Sequence, residues 1–98
     1  MYSDSTVNKS IIVKSIDFKT NTIQFELISQ PKKYSEGMKA IFHITYGENT
    51  MDIDGELYAN HGYHAIDDVE ITDEIVVTVE FKDGKESVTE KIPEYYVI

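Results

Sequence analysis

Ile75-Val76-Val77-Thr78-Val79-Glu80-Phe81-Lys82-Asp83-Gly84-Lys85-Glu86-Ser87-Val88-Thr89-Glu90-Lys91-Ile92 decides the fold class of this chain. Ile75, Val77, Val79 and Phe81 alternate with Val76, Thr78, Glu80 and Lys82, the period of a strand with one buried face. Beyond Asp83-Gly84, Val88 and Ile92 recur in the same parity. An Asp-Gly pair between two alternating runs predicts a β-hairpin, because both residues tolerate the positive φ of a type I′ turn. With Asp83-Gly84 as a two-residue loop, Val79 falls opposite Val88 and Ile75 opposite Ile92. A three-residue loop would set Val79 against Ser87 and turn Val88 to the polar face, so the two-residue register is expected.

The same reasoning extends toward the N-terminus. Residues 1–8 are polar and read as a flexible segment, leaving 9–98 as a single domain. A first strand runs from Ser10 to Phe18 with Ile12, Ile16 and Phe18 on one face. Lys19-Thr20-Asn21-Thr22 turns the chain into a return strand carrying Ile23, Phe25 and Leu27. Pairing about that turn sets Phe18 opposite Ile23, Ile16 opposite Phe25 and Lys14 opposite Leu27. Gln30 to Gly37 reads as a loop, since Pro31 has no ladder donor. Lys39 to Tyr46 is a third strand, burying Ala40, Phe42, Ile44 and Tyr46 and turning Ile41, His43 and Thr45 outward. After Gly47-Glu48-Asn49-Thr50, Met51, Ile53 and Leu57 alternate with Asp52, Asp54 and Glu56, and Gly55 suggests a bulge. Tyr63, Ala65, Val69 and Ile71 complete a short strand. The sum is about seven strands and an antiparallel β-sandwich.

Composition supports this. Ile, Val and Thr number 13, 8 and 8, against 3 Ala and 2 Leu, and β-branched side chains suit a pleated surface better than a helix. No cysteine is present, which excludes thiolate catalysis, cysteine-bound zinc and disulfides. Eighteen carboxylates face nine lysines and no arginine, for a net charge of −9. That balance argues against nucleic-acid binding and removes the bidentate guanidinium clamp for phosphate. No run is long and apolar enough to insert in a membrane, and Met1-Tyr2-Ser3-Asp4 lacks the basic start of a signal peptide. The expected setting is cytoplasmic if Met1 is the native start, and extracellular or cell-surface if the domain is cut from a longer chain. Abundant Ile, Lys and Asn without Arg point to an AT-rich bacterial or phage genome.

The opening pair, Ile11-Ile12-Val13-Lys14-Ser15-Ile16-Asp17-Phe18 then Thr22-Ile23-Gln24-Phe25-Glu26-Leu27, resembles the first two strands of bacterial immunoglobulin-like or fibronectin type III-like modules. Glu74 to Lys85 resembles their last hairpin. The antibody-type Cys…Trp…Cys signature is absent, and Glu74 stands where many such modules have an apolar residue. The resemblance implies an immunoglobulin-like sandwich and carries no function with it.

Candidate sites are few. Between Lys39 and Lys82 lie ten carboxylates and no lysine or arginine, so this region reads either as a solvated acidic surface or as one that docks on a basic partner. Asp67, Asp68, Asp73 and Glu74 are its densest part. Asp52, Asp54 and Glu56 offer hard oxygens at alternate positions, but the full calcium loop is missing and a shared solvent face on a strand is the simpler explanation. Tyr58, His61, Tyr63 and His64 gather two imidazoles and two phenols around Gly62. This group reads as ordinary loop packing or as an aromatic contact surface, since a metal or catalytic site would need further ligands. No Gly-x-Ser-x-Gly elbow and no glycine-rich phosphate loop exists. The expectation is a module without enzymatic activity or cofactor. It serves as a binding or spacer domain of a larger Gram-positive surface, secreted or phage structural protein. The alternative is a free-standing acidic inhibitor of a basic nucleic-acid-binding protein.

Overall fold

The computed structural model describes residues 6–58, 61–72, 74–92 and 95–97. The protein is an all-β sandwich. Its strands are β1 (Thr6–Asp17), β2 (Thr22–Pro31), β3 (Lys39–Tyr46), β4 (Asn49–Asp54), β5 (Glu56–Leu57), β6 (Tyr63–Glu70), β7 (Ile75–Asp83), β8 (Glu86–Ile92) and β9 (Tyr95–Val97). One sheet has the order β5-β6-β2-β1-β9 and the other β4-β3-β7-β8. Every pairing is antiparallel except β1 with β9, which is parallel. Among the described residues the count rises from about seven to nine because the Met51–Leu57 run splits into β4 and β5, and because β9 adds three residues beside β1. Among the described residues no helix is long and apolar enough to cross a membrane.

The two inner faces supply the core. Ile11, Val13, Phe25, Leu27, Tyr63, Ala65 and Val69 from the first sheet meet Ala40, Phe42, Ile44, Val77, Val79, Phe81 and Ile92 from the second. Full burial of a side chain such as Phe42 or Ile44 contributes about 1.5–3 kcal/mol. Ala40, Phe42 and Ile44 of β3, Tyr63, Ala65 and Val69 of β6, and Val77, Val79 and Phe81 of β7 therefore stand as read from sequence. So do Phe25 and Leu27 of β2. Tyr46 and Ile75 are partly buried, and Ile71 falls beyond the end of β6.

Register corrects three expectations. In the last hairpin Asp83 pairs with Glu86, Phe81 with Val88 and Val77 with Ile92. The loop is thus Gly84-Lys85, with positive φ (63°) at Gly84, the first-residue requirement of a type II′ turn rather than the I′ turn expected of Asp83-Gly84. The pairing slides by two residues, so the faces are unchanged; but Val79 meets Glu90, and Val88 stays 44 % exposed beside Phe81. In the first hairpin Ile16 pairs with Ile23 and Val13 with Phe25, the shift falling at Lys14. This bulge reverses the parity of β1. Ile11 and Val13 become the core row, Ile16 is half-exposed, and Phe18 is 83 % exposed in the turn. Asp17 caps that turn through Oδ1, which accepts from the Lys19 amide at 2.9 Å.

Gly55 is the third. Its amide donates to the Ala40 carbonyl at 2.9 Å, and the chain there leaves the β3–β4 sheet for the β6 sheet. A Cβ at this point would lie 3.1 Å from Phe42 Cε2 and 3.2 Å from Tyr63 Cβ. Glycine is needed for close approach between the layers, and the expected alternation of Leu57 with Met51 and Ile53 ends at this crossing.

Candidate functional site

One end of the sandwich gathers three connections. Ser29 pairs with Tyr63 and Lys39 with Lys82, so the chain between β2 and β3, the chain between β5 and β6, and the Gly84-Lys85 turn all lie there. The 31–38 connection is tied locally by the Met38 amide donating to the Ser35 carbonyl at 3.2 Å. Ser35 Oγ donates to Asp83 Oδ2 at 2.6 Å, joining this connection to the β7–β8 hairpin. Tyr34 stacks on His61 with ring centroids 4.0 Å apart, joining it to the β5–β6 connection. Tyr58 closes that second loop by donating its amide to the Gly62 carbonyl at 2.7 Å, and His61 takes a positive φ of 58° within it.

Between the 31–38 connection and the last hairpin lies an open groove of about 750 Å³. Pro31, Met38, Phe81 and Val88 give it an apolar floor, and Lys32, Lys33, Asp83 and Glu86 line it with both signs of charge. Near the same end, Tyr58 is 54 % exposed and rests on His64, centroids 4.5 Å apart. His64 Nε2 donates to Glu26 Oε2 at 2.8 Å, which fixes the imidazole under the phenol. An exposed tyrosine held by its neighbours meets a partner at low cost in rotamer entropy.

The residues singled out from sequence therefore separate. Tyr58, His61 and His64 come together at this end. Tyr63 belongs to the core: it is buried, tilts against Phe81, and donates its hydroxyl to the Met38 carbonyl at 3.2 Å. Burial, then the nearby Tyr34 phenol, raises its pKa. Asp67 lies on the inward parity of β6 opposite Phe25, where its Oδ1 accepts the Asp68 amide at 2.7 Å; Asp68 is exposed. Glu74 is at the far end, its carbonyl accepting from Gly47 and Thr72. Asp73 lies outside the described residues. Asp52 and Asp54 sit on β4 while Glu56 has crossed to the other sheet, so the three share no face. Among the described residues no three His or carboxylate groups gather as a metal site.

A second cluster occupies the outer face of the four-stranded sheet. His43 stands between Asp52 on β4 and Thr78 on β7 in the ladder, with Glu80 one step along. Its Nδ1 lies 2.6 Å from Asp52 Oδ1 and its Nε2 3.0 Å from Glu80 Oε1. Burial pulls the His43 pKa down, but hydrogen bonds to Asp52 and Glu80, and then their charges, outweigh it and leave the pKa raised. Glu80 is lowered, foremost by its bond to His43, against burial and with help from Lys82 and Ser87. Sequence reading placed His43 on the outer face but gave it no partner. The signal was available: a two-residue Gly47-Glu48 turn sets His43 opposite Asp52. Lys32, Lys33 and Val88 were missed because their proximity comes from loop packing.

Comparison with protein-family models, with curated proteins and with solved structures finds no match to this chain.

Proposed function

We propose that this chain is a non-catalytic immunoglobulin-like binding module that holds a protein partner at the end where the three connections meet, as one domain of a larger Gram-positive surface, secreted or phage structural protein. The immunoglobulin-like part is supported by strand order: β1-β2-β6-β5 reads A-B-E-D and β8-β7-β3-β4 reads G-F-C-C′ in that convention. The binding part rests on one observation, the groove floored by Pro31, Met38, Phe81 and Val88 with the half-exposed Tyr58 near the same end. Apolar pockets and preorganised aromatic side chains are where interface energy concentrates.

A second reading has its own support. β4, β5 and β6 carry the exposed Asp52, Asp54, Glu56, Asp68 and Glu70 without a lysine, and they form one flank across both sheets. Such a flank suits a free-standing acidic inhibitor of a basic protein.

Affinity capture from a Gram-positive host extract distinguishes the two. Wild type, Val88→Glu and an Asp54→Lys/Asp68→Lys variant are compared. Partner loss only with Val88→Glu supports the groove, and loss only with the lysine variant supports the acidic flank. A partner retained by both variants contradicts both surfaces, and capture of no partner by any of the three proteins leaves the spacer role.

A further inference from the structure

The Asp52–His43–Glu80 cluster lies on a different surface from the groove and has a property of its own. A neutral imidazole carries one N–H, and only the imidazolium donates from both nitrogens. His43 faces a carboxylate oxygen at each nitrogen, 2.6 Å at Nδ1 and 3.0 Å at Nε2. Carboxylates accept only, so the full arrangement exists in one protonation state.

We propose that His43 is a proton-operated clamp across β4, β3 and β7, doubly bonded when protonated and releasing Asp52 of the edge strand when it loses its proton. Burial selects which carboxylate is released. The Asp52 side chain is 63 % exposed and rehydrates readily, whereas Glu80 is 19 % exposed and keeps its ring N–H donor. Nδ1 then turns a lone pair toward Asp52, and the 2.6 Å contact becomes repulsive.

The groups facing the ring come from every neighbouring strand. Asp52 and Asp54 extend from β4, Glu80 and Lys82 from β7, and Lys91 of β8 pairs with Thr78, itself opposite His43. Lys39 is at the start of β3 itself, opposite Lys82. The three lysines oppose protonation and the three carboxylates favour it; the two in hydrogen-bond contact dominate because the others act only through solvent-screened distance. The linkage has a definite sign. A raised His43 pKa gives stabilisation that is complete below the unfolded value of 6.5 and is lost as pH rises through the folded one. The lowered Glu80 pKa gives stabilisation that is complete above 4.5 and is lost as pH falls through the folded one. The clamp is therefore strongest in the mildly acidic interval between them.

The test is a nitrogen-detected NMR titration of the His43 ring in wild type, Asp52→Asn and Glu80→Gln, with melting temperatures at each pH. The expected results are a wild-type midpoint above 6.5, a lower midpoint in each variant, and an Nε2–H tautomer once neutral. Relative to His43→Gln, wild type should lose roughly 1–5 °C of melting temperature between mildly acidic and alkaline pH, the scale of a partly exposed ion pair. A wild-type midpoint at or below 6.5, or one unmoved by both substitutions, would overturn the clamp. So would an Nδ1–H tautomer or a melting difference from His43→Gln that is flat with pH.

Discussion

Lys9 Nζ donates to Glu90 Oε1 at 2.6 Å, linking β1 of one sheet to β8 of the other. Both residues lie on the inward parity of their strands: Lys9 is opposite Ser29, and Glu90 is opposite Val79. The carboxylate is 9 % exposed, so it leaves water almost entirely. A charged pair therefore bridges the two sheets on their β1–β8 side, beside the core residues Ile11 and Ile92. A buried pair recovers its desolvation cost only when both partners are present.

Removing one member should cost more than removing both. Lys9→Met leaves Glu90 without this counter-ion and should destabilise by about 1–3 kcal/mol. Lys9→Met with Glu90→Leu should return most of that loss. Urea midpoints of the two single variants and the double variant check this. A double variant no more stable than the less stable single variant would contradict it.

Ser29 is wholly buried, and its Oγ has no hydrogen-bond partner among the described residues. An unsatisfied buried hydroxyl costs about 1–3 kcal/mol in mutational series. Ser29→Ala should accordingly raise the urea midpoint, with the denaturant slope unchanged. A fall in midpoint would mean that the hydroxyl is satisfied, as by a bound water.

Gly55→Ala should be more damaging than the same change at Gly37, Gly47 or Gly84. The added carbon would meet Phe42, Tyr63 and the Ala40 carbonyl at 3.1–3.3 Å. Overpacking of that kind costs about 1–3 kcal/mol. Calorimetry of this variant beside Gly37→Ala, where a Cβ meets nothing within 4 Å, separates crowding from backbone effects. Equal losses in the two would remove the crossing's steric constraint.

The last turn gives a register test. Gly84 has positive φ and open space around a Cβ, so Gly84→Val should destabilise by about 1–3 kcal/mol through its backbone alone. Asp83 is the closing strand residue, paired with Glu86, so Asp83→Ser should cost only the contact to Ser35. If Asp83 were a turn residue with positive φ, Asp83→Val would cost as much as Gly84→Val. Chemical denaturation of the three variants decides between the registers.

These corrections show which information a strand pattern holds. Alternation fixes faces, so Phe42, Ile44, Val77 and Val79 were legible as core. A slip of two residues preserves every face, which is why Val79 could be set against Val88 when its partner is Glu90. The run Ile11-Ile12-Val13 is apolar at both parities, so the bulge at Lys14, not the pattern, decided that Ile11 and Val13 face inward. Gly55 was legible as an irregularity, but not as the point where the chain changes sheet. Tyr58 and His64 could be noticed as an aromatic pair. Their stacking, and the groove formed by Pro31, Met38, Phe81 and Val88, depend on connections whose packing no local pattern encodes.

Amide hydrogen exchange, measured for the domain alone and with its captured partner bound, tests the proposed binding end most directly. The predicted result is new protection in residues 32–38, around Tyr58 and His61, and along 81–88, with β4 and residues 66–70 of β6 unchanged. Protection confined to β4, β5 and β6, with the 32–38 connection exchanging as in the free domain, would contradict the groove and assign the contact to the acidic flank.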